Sequence, residues 1–452
     1  MAGTTETDQP LSPSGRLFLQ PLMNQVIICA LGGDHPIPVA PLKTQIQNSV
    51  MLKHPRFCSL MVRDSGGREH WRRTHVDIDR HIIIHTCPLH DDPSVSDEDA
   101  VNGYVADLSY SSPLSADKPL WEIHVLVAHK AAVFRVHHAL GDGISLMALL
   151  LSGCRRVDDT AEAPSLGVSG AAVSGFRRWS VWTAVRMVLF TLVYVWGVLM
   201  RVFWVRDKAT AVSGGDGVEG WPRGLATARF RLDDFKTVKR AVAGSTINDV
   251  LFGAISSGLS RYLDIRSPKA LQEGDQITGL AMVNLRPHQG LEDFSKLMNS
   301  NSLSPWGNKF GVILLPVYYH RHHSNPLQYV KTAKSMIDKK KLSLEALFTY
   351  KLMDFVTYLF GPKFTSILNH RLICNSTFTI SNIVGPGEDI ILVGNLVKYI
   401  RAITMHMLSY AGNADMQILV AKDIIPDPKV LAKCFEDALF EMKKAALDVL
   451  NY

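Results

Sequence analysis

The sequence predicts a two-lobed α/β protein built on mixed sheets, and three observations carry that reading. The chain has 452 residues, beyond the length at which a single hydrophobic core usually stops growing. Strand-like and helix-like periodicities are interleaved in both halves. A small, polar stretch from Asp158 to Gly175, followed by a strongly apolar run, separates the halves. The expected division is a first lobe over residues 1–172, a linker with an apolar helix over 173–224, and a second lobe over 225–452.

Composition narrows the class. An apolar share of 47% with 20% charged residues is ordinary for a globular protein and excludes a disordered, collagen-like or disulfide-stapled chain. The formal charge of +6 comes without any long Lys/Arg block, so nucleic acid is not an expected partner. Six scattered cysteines lack a C-x-x-C pair and read as reduced thiols. The polar start Met1 to Pro10 has neither the basic nor the apolar region of a secretory signal, so the main body is expected to face the cytosol.

In chain order, Val26 to Leu31 and Met61-Val62-Arg63 are the first strand signals. A hairpin follows, with Glu122 to Ala128 and Ala131 to His137 on either side of His129-Lys130. Ile144 to Leu151 then carries Ile144, Met147, Ala148 and Leu151 at helical spacing. The uncharged run Met187 to Met200 lies between Arg186 and Arg201, with Trp179, Trp182, Trp196, Trp204, Arg177, Arg178 and Arg206 around it. About fourteen uncharged residues fall short of the roughly 20 that cross a bilayer unless a flanking Arg snorkels. The tryptophan and arginine borders favour a membrane-bound helix, crossing or lying in the surface, over one buried between the lobes.

The second lobe opens with strand-like Thr227 to Leu232. A helix from Ser245 to Tyr262 carries Val250, Leu251, Ala254, Ile255, Leu259 and Tyr262 on its apolar side. Later strands are expected over Gly311 to Tyr318, Thr377 to Ile383, Val397 to Met405 and Met416 to Val420. In the final helix Asp427 suits the N-cap and Pro428 the first turn, with Leu431, Cys434, Phe435, Leu439, Met442, Ala446 and Val449 at helical spacing.

The chemistry concentrates at the strand-to-helix junction His137-His138-Ala139-Leu140-Gly141-Asp142-Gly143. Side chains alternate along a strand, so Phe134, Val136 and His138 share one face while Arg135 and His137 share the other. His138, ending an apolar row, would be partly desolvated, and a neutral imidazole there accepts a proton near pH 7. Gly141 and Gly143 suit a tight turn with backbone close to a ligand, and Asp142 suits holding that turn through backbone amides or a buried Arg. A carboxylate directed away from His138 would stiffen the loop without raising the base's pKa. A metal reading of His138 with Asp142, or of His320-Arg321-His322-His323, ranks low because no third ligand is identifiable.

The run His137 to Leu146 resembles the H-H-x-x-x-D-G signature of the acyltransferase superfamily that includes chloramphenicol acetyltransferase. More narrowly, the chain resembles the plant branch of the bifunctional wax ester synthase/diacylglycerol acyltransferases. Leu11-Ser12-Pro13, Pro119-Leu120-Trp121-Glu122, Ser245-Thr246-Ile247-Asn248-Asp249-Val250, Val283-Asn284-Leu285-Arg286-Pro287, Trp306-Gly307-Asn308-Lys309-Phe310-Gly311 and Ser381-Asn382-Ile383-Val384-Gly385-Pro386 fit in the expected order. The D-F-G-W-G block of the plant acyltransferases that act on soluble acceptors is absent.

The resemblance implies two lobes with a tunnel between them that admits acyl-CoA and alcohol to the second histidine, His138, as general base. It implies acyl-CoA as co-substrate, no permanently bound cofactor or metal, and a fatty alcohol or diacylglycerol as acceptor. With the apolar run it implies attachment to membrane lipid at the endoplasmic reticulum, with the plasma membrane as the alternative, lobes facing the cytosol. His137, Asp142, Gly141, Gly143, Asn248, Asp249 and Arg286 become supporting residues: Asn248 and Asp249 in a helix's first turn, Arg286 as a partner for Asp142. The alternatives are an acyltransferase of the same superfamily with another acceptor, and a catalytically silent lipid-binding membrane protein. Oligomeric state is open.

Overall fold

The structure is a computed structural model that describes residues 8–158, 164, 181–214, 217–286, 306–321, 325–403 and 405–451. Most of the polar connector, Arg177, Arg178, Trp179, Pro287, His322 and His323 lie outside the described residues. Two mixed sheets organise the fold. The first has seven strands in the order Ile82–His85, Trp121–Leu126, Ala131–His137, Val26–Gly33, Asn395–Ala402, Ile390–Leu392 and Arg155–Arg156. The second has six, in the order Phe310–Tyr318, Gln276–Asn284, Phe378–Val384, His406–Tyr410, Asn413–Ala421 and Arg223–Arg231. Each combines parallel and antiparallel neighbours.

The first sheet is completed by residues from far along the chain. Ile400 pairs with Leu31 and Arg401 with Ala30, while His406–Tyr410 pairs with Phe378–Val384 and Asn413–Ala421 in the second sheet. The strand expected over Val397 to Met405 therefore ends at Ala402, and the next strand, His406–Tyr410, belongs to the other sheet. Val397, Ile400 and Ala402 join Leu31, Met147 and Leu151 in one core, and Met407 joins the core of the second sheet. Periodicity along a strand shows that a face is buried, but it does not name the sheet that buries it.

The helix Ile247–Arg266 is begun by a capping box, with the Thr246 side chain bonded to the Asp249 backbone and the Asp249 side chain to the Thr246 backbone. It buries the six apolar residues expected of it. Gly258 lets it approach the final helix Pro428–Leu450, where a Cβ would stand 2.3 Å from a Phe435 ring atom. That helix starts as expected, but Asp427 does not cap it. Its Oδ1 instead accepts from the Tyr262 hydroxyl at 2.5 Å. Val449 points outward, 53% exposed, because the packing stripe ends at Ala446.

The apolar run forms the helix Val181–Phe203, and it is not buried between lobes. Val188, Leu192, Trp196 and Leu199 are exposed, while Tyr194 and Val202 are buried against the second lobe. Arg201 does not snorkel. It is buried, paired with Asp207 at 2.8 Å and donating to Thr278 Oγ1 at 2.7 Å.

Candidate active site

The strand Ala131–His137 separates its two sets of side chains as alternation requires. Arg135 is buried on one side against Glu122 at 2.6 Å. His137 shares that side, and both of its nitrogens are engaged. Nδ1 accepts from the Ala139 N–H at 3.1 Å, so Nε2 carries the proton and donates to Asn24 Oδ1 at 2.8 Å. Burial, and then the neighbouring His138, push its pKa down to about 4. His137 is a neutral turn-holding group with no free lone pair.

Phe134, Val136 and His138 face a cavity of about 660 Å³. The His138 ring stacks on Phe18 with centroids 4.0 Å apart and an interplanar angle of 18°, and Phe310 approaches at 5.8 Å. Asn308 holds it in one tautomer. Asn308 Nδ2 donates to the His138 carbonyl at 2.8 Å, which fixes the amide's orientation because a carbonyl only accepts. Its Oδ1 therefore faces His138 Nδ1 at 3.0 Å, and Nδ1 must carry the proton. Nε2 is left with its lone pair. Burial lowers the pKa of this imidazole below 6.5, against a smaller raising effect of the Asp142 charge. Asp142 thus does raise the base's pKa somewhat, contrary to the expectation, but desolvation outweighs it.

Asp142 faces away from the imidazole. Its Oδ1 caps the helix Gly143–Ser152 by accepting from the Ser145 N–H at 3.0 Å. Its Oδ2 accepts from Arg286 Nη1 at 2.7 Å and from the Lys309 N–H at 3.0 Å. Arg286 also donates to Ser145 Oγ at 3.0 Å and to the Gly307 carbonyl. The pair is almost fully buried and ties the histidine loop to two segments of the second half. Neither motif glycine has a left-handed backbone. Gly141 lies against the Trp306 indole and Gly143 against Ile383, where a Cβ would stand 3.1 Å from Cδ1. Both glycines thus give room to the protein's own side chains, and Gly143 also lines the cavity.

Both sheets line the cavity, with Phe134 and Leu31 from one and Met282, Ile380 and Leu408 from the other. Asn382 lines it too, and its amide donates to Asn248 Oδ1 at 2.7 Å. Asp249 is fully buried in the capping box. Trp121 is a core residue, wholly buried, with its indole N–H on the Phe57 carbonyl at 3.0 Å. His320 bonds Glu273, remote in sequence from the motif. Among the described residues no three His, Cys, Asp or Glu side chains converge as metal ligands.

Three contributors escape a reading of residues one at a time: Asn308, Phe18 and Phe310. The signal for Asn308 and Phe310 was the Trp306 to Gly311 block, which resemblance identified without assigning a role. For Phe18 it was Leu11-Ser12-Pro13. Ser12 caps the helix Pro13–Phe18 by accepting from Gly15 N–H at 3.2 Å, and that helix delivers Phe18 onto the His138 ring.

Two mixed sheets walling an apolar cavity, with a strand-end histidine on it, are the arrangement implied by the resemblance to the chloramphenicol acetyltransferase-like acyltransferases. Residues 46–207 match the wax ester synthase/diacylglycerol acyltransferase catalytic domain, and residues 306–443 match the WS/DGAT C-terminal domain. Wax ester synthase/diacylglycerol acyltransferase 11 of Arabidopsis thaliana is 33% identical, covering 99% of this chain and 97% of its own length. The chain belongs to the wax ester synthase/diacylglycerol acyltransferase family. Among solved structures, the wax ester synthase/diacylglycerol acyltransferase from Marinobacter aquaeolei VT8 superposes with a TM-score of 0.62 at 16% identity, over 97% of this chain and 100% of that one. The first condensation domain of the calcium-dependent antibiotic synthetase shares the fold with a TM-score of 0.59 at 13% identity, over 98% and 97%. Asn248, Asp249 and Arg286 fall between the two matched stretches.

Proposed function

We propose that this acyltransferase moves a fatty acyl group from acyl-CoA to the hydroxyl of a long-chain alcohol or diacylglycerol, with His138 as the general base. One observation carries the reading: His138 presents an unprotonated Nε2 to an apolar cavity walled by both sheets, while Asn308 holds the proton on Nδ1. Nε2 takes the acceptor's hydroxyl proton as the oxygen attacks the thioester carbonyl carbon. The tetrahedral adduct collapses with cleavage of the carbon–sulfur bond, and the imidazolium returns its proton to the departing CoA sulfur. The acyl group passes directly between substrates. Asn308 Oδ1 stabilises the imidazolium between the two proton transfers. Asp142 and Arg286 hold the loop that aims the base, Asn248 supports the cavity wall through Asn382, and Asp249 fixes the start of the helix that carries Asn248.

The decisive experiment compares wild type and His138→Ala with labelled acyl-CoA and hexadecanol or diacylglycerol. A folded variant with full activity refutes the general base. An acceptor panel scored for wax ester and triacylglycerol together fixes the preferred product.

The same reading puts the enzyme on a membrane, the endoplasmic reticulum being the one expected. The support is the helix window Val185–Phe203, 19 residues with mean hydropathy 1.7 and 17% of it buried. Its inner side is tied to the second lobe by Tyr194, whose hydroxyl donates to the Val312 carbonyl at 2.8 Å. A helix bound lengthwise to a polar lobe lies in the interface plane more readily than it crosses, since crossing would draw that lobe into hydrocarbon. Replacing Leu189, Val193, Trp196 and Leu199 by polar residues should release the protein from membranes while detergent-dispersed alcohol is still acylated. Aggregation of that variant would assign the helix to the core instead.

A further inference from the structure

The segment Glu345–Cys374 is a helical elbow rather than one helix. Gly361 sits at φ 80° and ψ 166°, and Pro362 follows. A proline lacks the N–H of the helical ladder, and its ring excludes the helical carbonyl four residues back. Thr357 Oγ1 nevertheless bonds Thr365 Oγ1 at 3.1 Å, both side chains buried. Eight residues along a straight helix would lie about 12 Å apart, so the two arms bend sharply toward each other across this contact.

The two sides of the elbow differ. On the inside, Tyr350 and Met353 from one arm and Asn369, Leu372 and Ile373 from the other line the cavity that holds His138. On the outside, Phe355, Tyr358, Leu359, Phe360, Phe364 and Ile367 are exposed, Tyr358 by 84%. A contiguous apolar patch of this kind on a water-facing surface marks a site of contact. The elbow also packs against the helix Val181–Phe203, joined through Tyr194 and Thr349 at 2.8 Å and through Leu344 N–H and Thr191 Oγ1 at 3.2 Å. The two bare faces thus belong to elements packed on each other.

Charge selects the occupant. Around the elbow's outer face stand the exposed Lys351, Lys363 and Arg371 and the half-buried Asp354, and along the helix Val181–Phe203 and just past it the exposed Arg186 and Arg206, while Arg201 is buried against Asp207. Exposed aromatic and aliphatic side chains whose exposed charged neighbours are mainly cations fit the boundary of a bilayer with anionic headgroups. We propose that the outer face of the elbow, Phe355 to Ile367, is a second bilayer-inserting element, and that the acyl acceptor passes from the leaflet along its arms to His138. This rests on the lipid-acceptor reading above.

Hydrogen exchange of the full-length wild type, with and without vesicles of phosphatidylcholine and phosphatidylserine, tests the surface without reference to activity. Amides of residues 355–367 should slow by about fivefold or more when vesicles are added. The combined variant Phe355→Ser, Tyr358→Ser, Phe360→Ser and Phe364→Ser alters only exposed or half-buried side chains. Its kcat/KM should fall about tenfold for hexadecanol held in vesicles and stay within about twofold for hexadecanol in detergent. Unchanged exchange on adding vesicles overturns the proposal, as does an equal loss in both presentations. Protection that appears without lipid and grows with protein concentration also overturns it, by assigning the face to a second copy of the chain. A wild type that acylates no acceptor in either presentation defeats the proposed function, and the exchange result still decides the surface.

Discussion

The two sides of the strand that ends at His137 hold the same chemical group in opposite states. On the polar side, His137 has a donor on one nitrogen and an acceptor on the other. On the cavity side, His138 has its proton held by Asn308 and, among the described residues, no partner at its other nitrogen. Adjacent positions of the chain thus hold one imidazole with both nitrogens engaged and one with a nitrogen turned to the cavity. The difference is made by neighbours: Asn24 and the Ala139 backbone for one ring, Phe18 and Asn308 for the other. An imidazole can accept a proton where its hydrogen bonding is completed at one nitrogen and left open at the other.

The largest effect that comparison predicts is at His138. His138→Ala should lose about 10²- to 10⁴-fold in turnover with thermal unfolding close to wild type, whereas His137→Ala keeps measurable turnover. The reverse ranking in a steady-state assay would break the comparison.

Next comes the clamp behind the loop. Arg286→Ala leaves Asp142 buried without its counter-ion, and breaking such a pair costs about 3–5 kcal/mol. Denaturant unfolding should show the loss, and Asp142→Asn should lower folded yield along with activity. Stability unchanged in both variants would mean that the pair does not hold the loop.

Asn308→Ala sharpens the tautomer argument. A hydrogen bond to a charged group contributes about 1.5–3 kcal/mol, so removing the partner of the imidazolium should slow turnover by about ten- to a hundredfold. Asn308→Asp, which can still accept from Nδ1–H, should raise the pKa of His138 and move the acid limb of kcat/KM upward. In the wild type that limb belongs below pH 6.5, because burial depresses the imidazole's pKa and the neutral form is the one that reacts. A limb at or above 6.5 would contradict a desolvated base.

The smallest effect is at the structural ring. His137→Ala should cost about 1–3 kcal/mol through lost and unmade hydrogen bonds. His137 has a folded pKa near 4 against 6.5 for the free group. The unfolded chain therefore takes up the proton first, and stability is lost as pH falls from 6.5 toward 4. The His137→Ala variant should show a shallower fall over that window when melting temperature is followed against pH.

Much of this was legible in the sequence. Alternation placed His137 and His138 on opposite faces, and that followed from strand geometry alone. The final helix, the apolar stripe of Ile247–Arg266 and the hairpin around His129-Lys130 were legible for the same reason. So was Asp142 as a loop-holding group with Arg286 as its partner, although resemblance had to supply the Arg. The buried Arg201 was not legible: as a cation at the end of an apolar run, it reads as interfacial until Asp207 and Thr278 are seen beside it. Nor was the elbow at Gly361-Pro362, since its apolar residues show only weak amphipathic order and face two different surroundings.

What the sequence by itself determined is local: which segments form strands and helices, which side chains share a face, and where a base fits between a strand and a helix. These depend on backbone periodicity and on caps within three or four residues. Tertiary structure decided what surrounds the His138 imidazole and which apolar faces are left exposed. Asn308 lies 170 residues from His138, and Arg286 lies 144 from Asp142. The strand Asn395–Ala402 completes a sheet begun at Val26. Such contacts are fixed by the packing of cores that the whole chain builds together, and desolvation, tautomer and exposure are properties of that packing rather than of any segment.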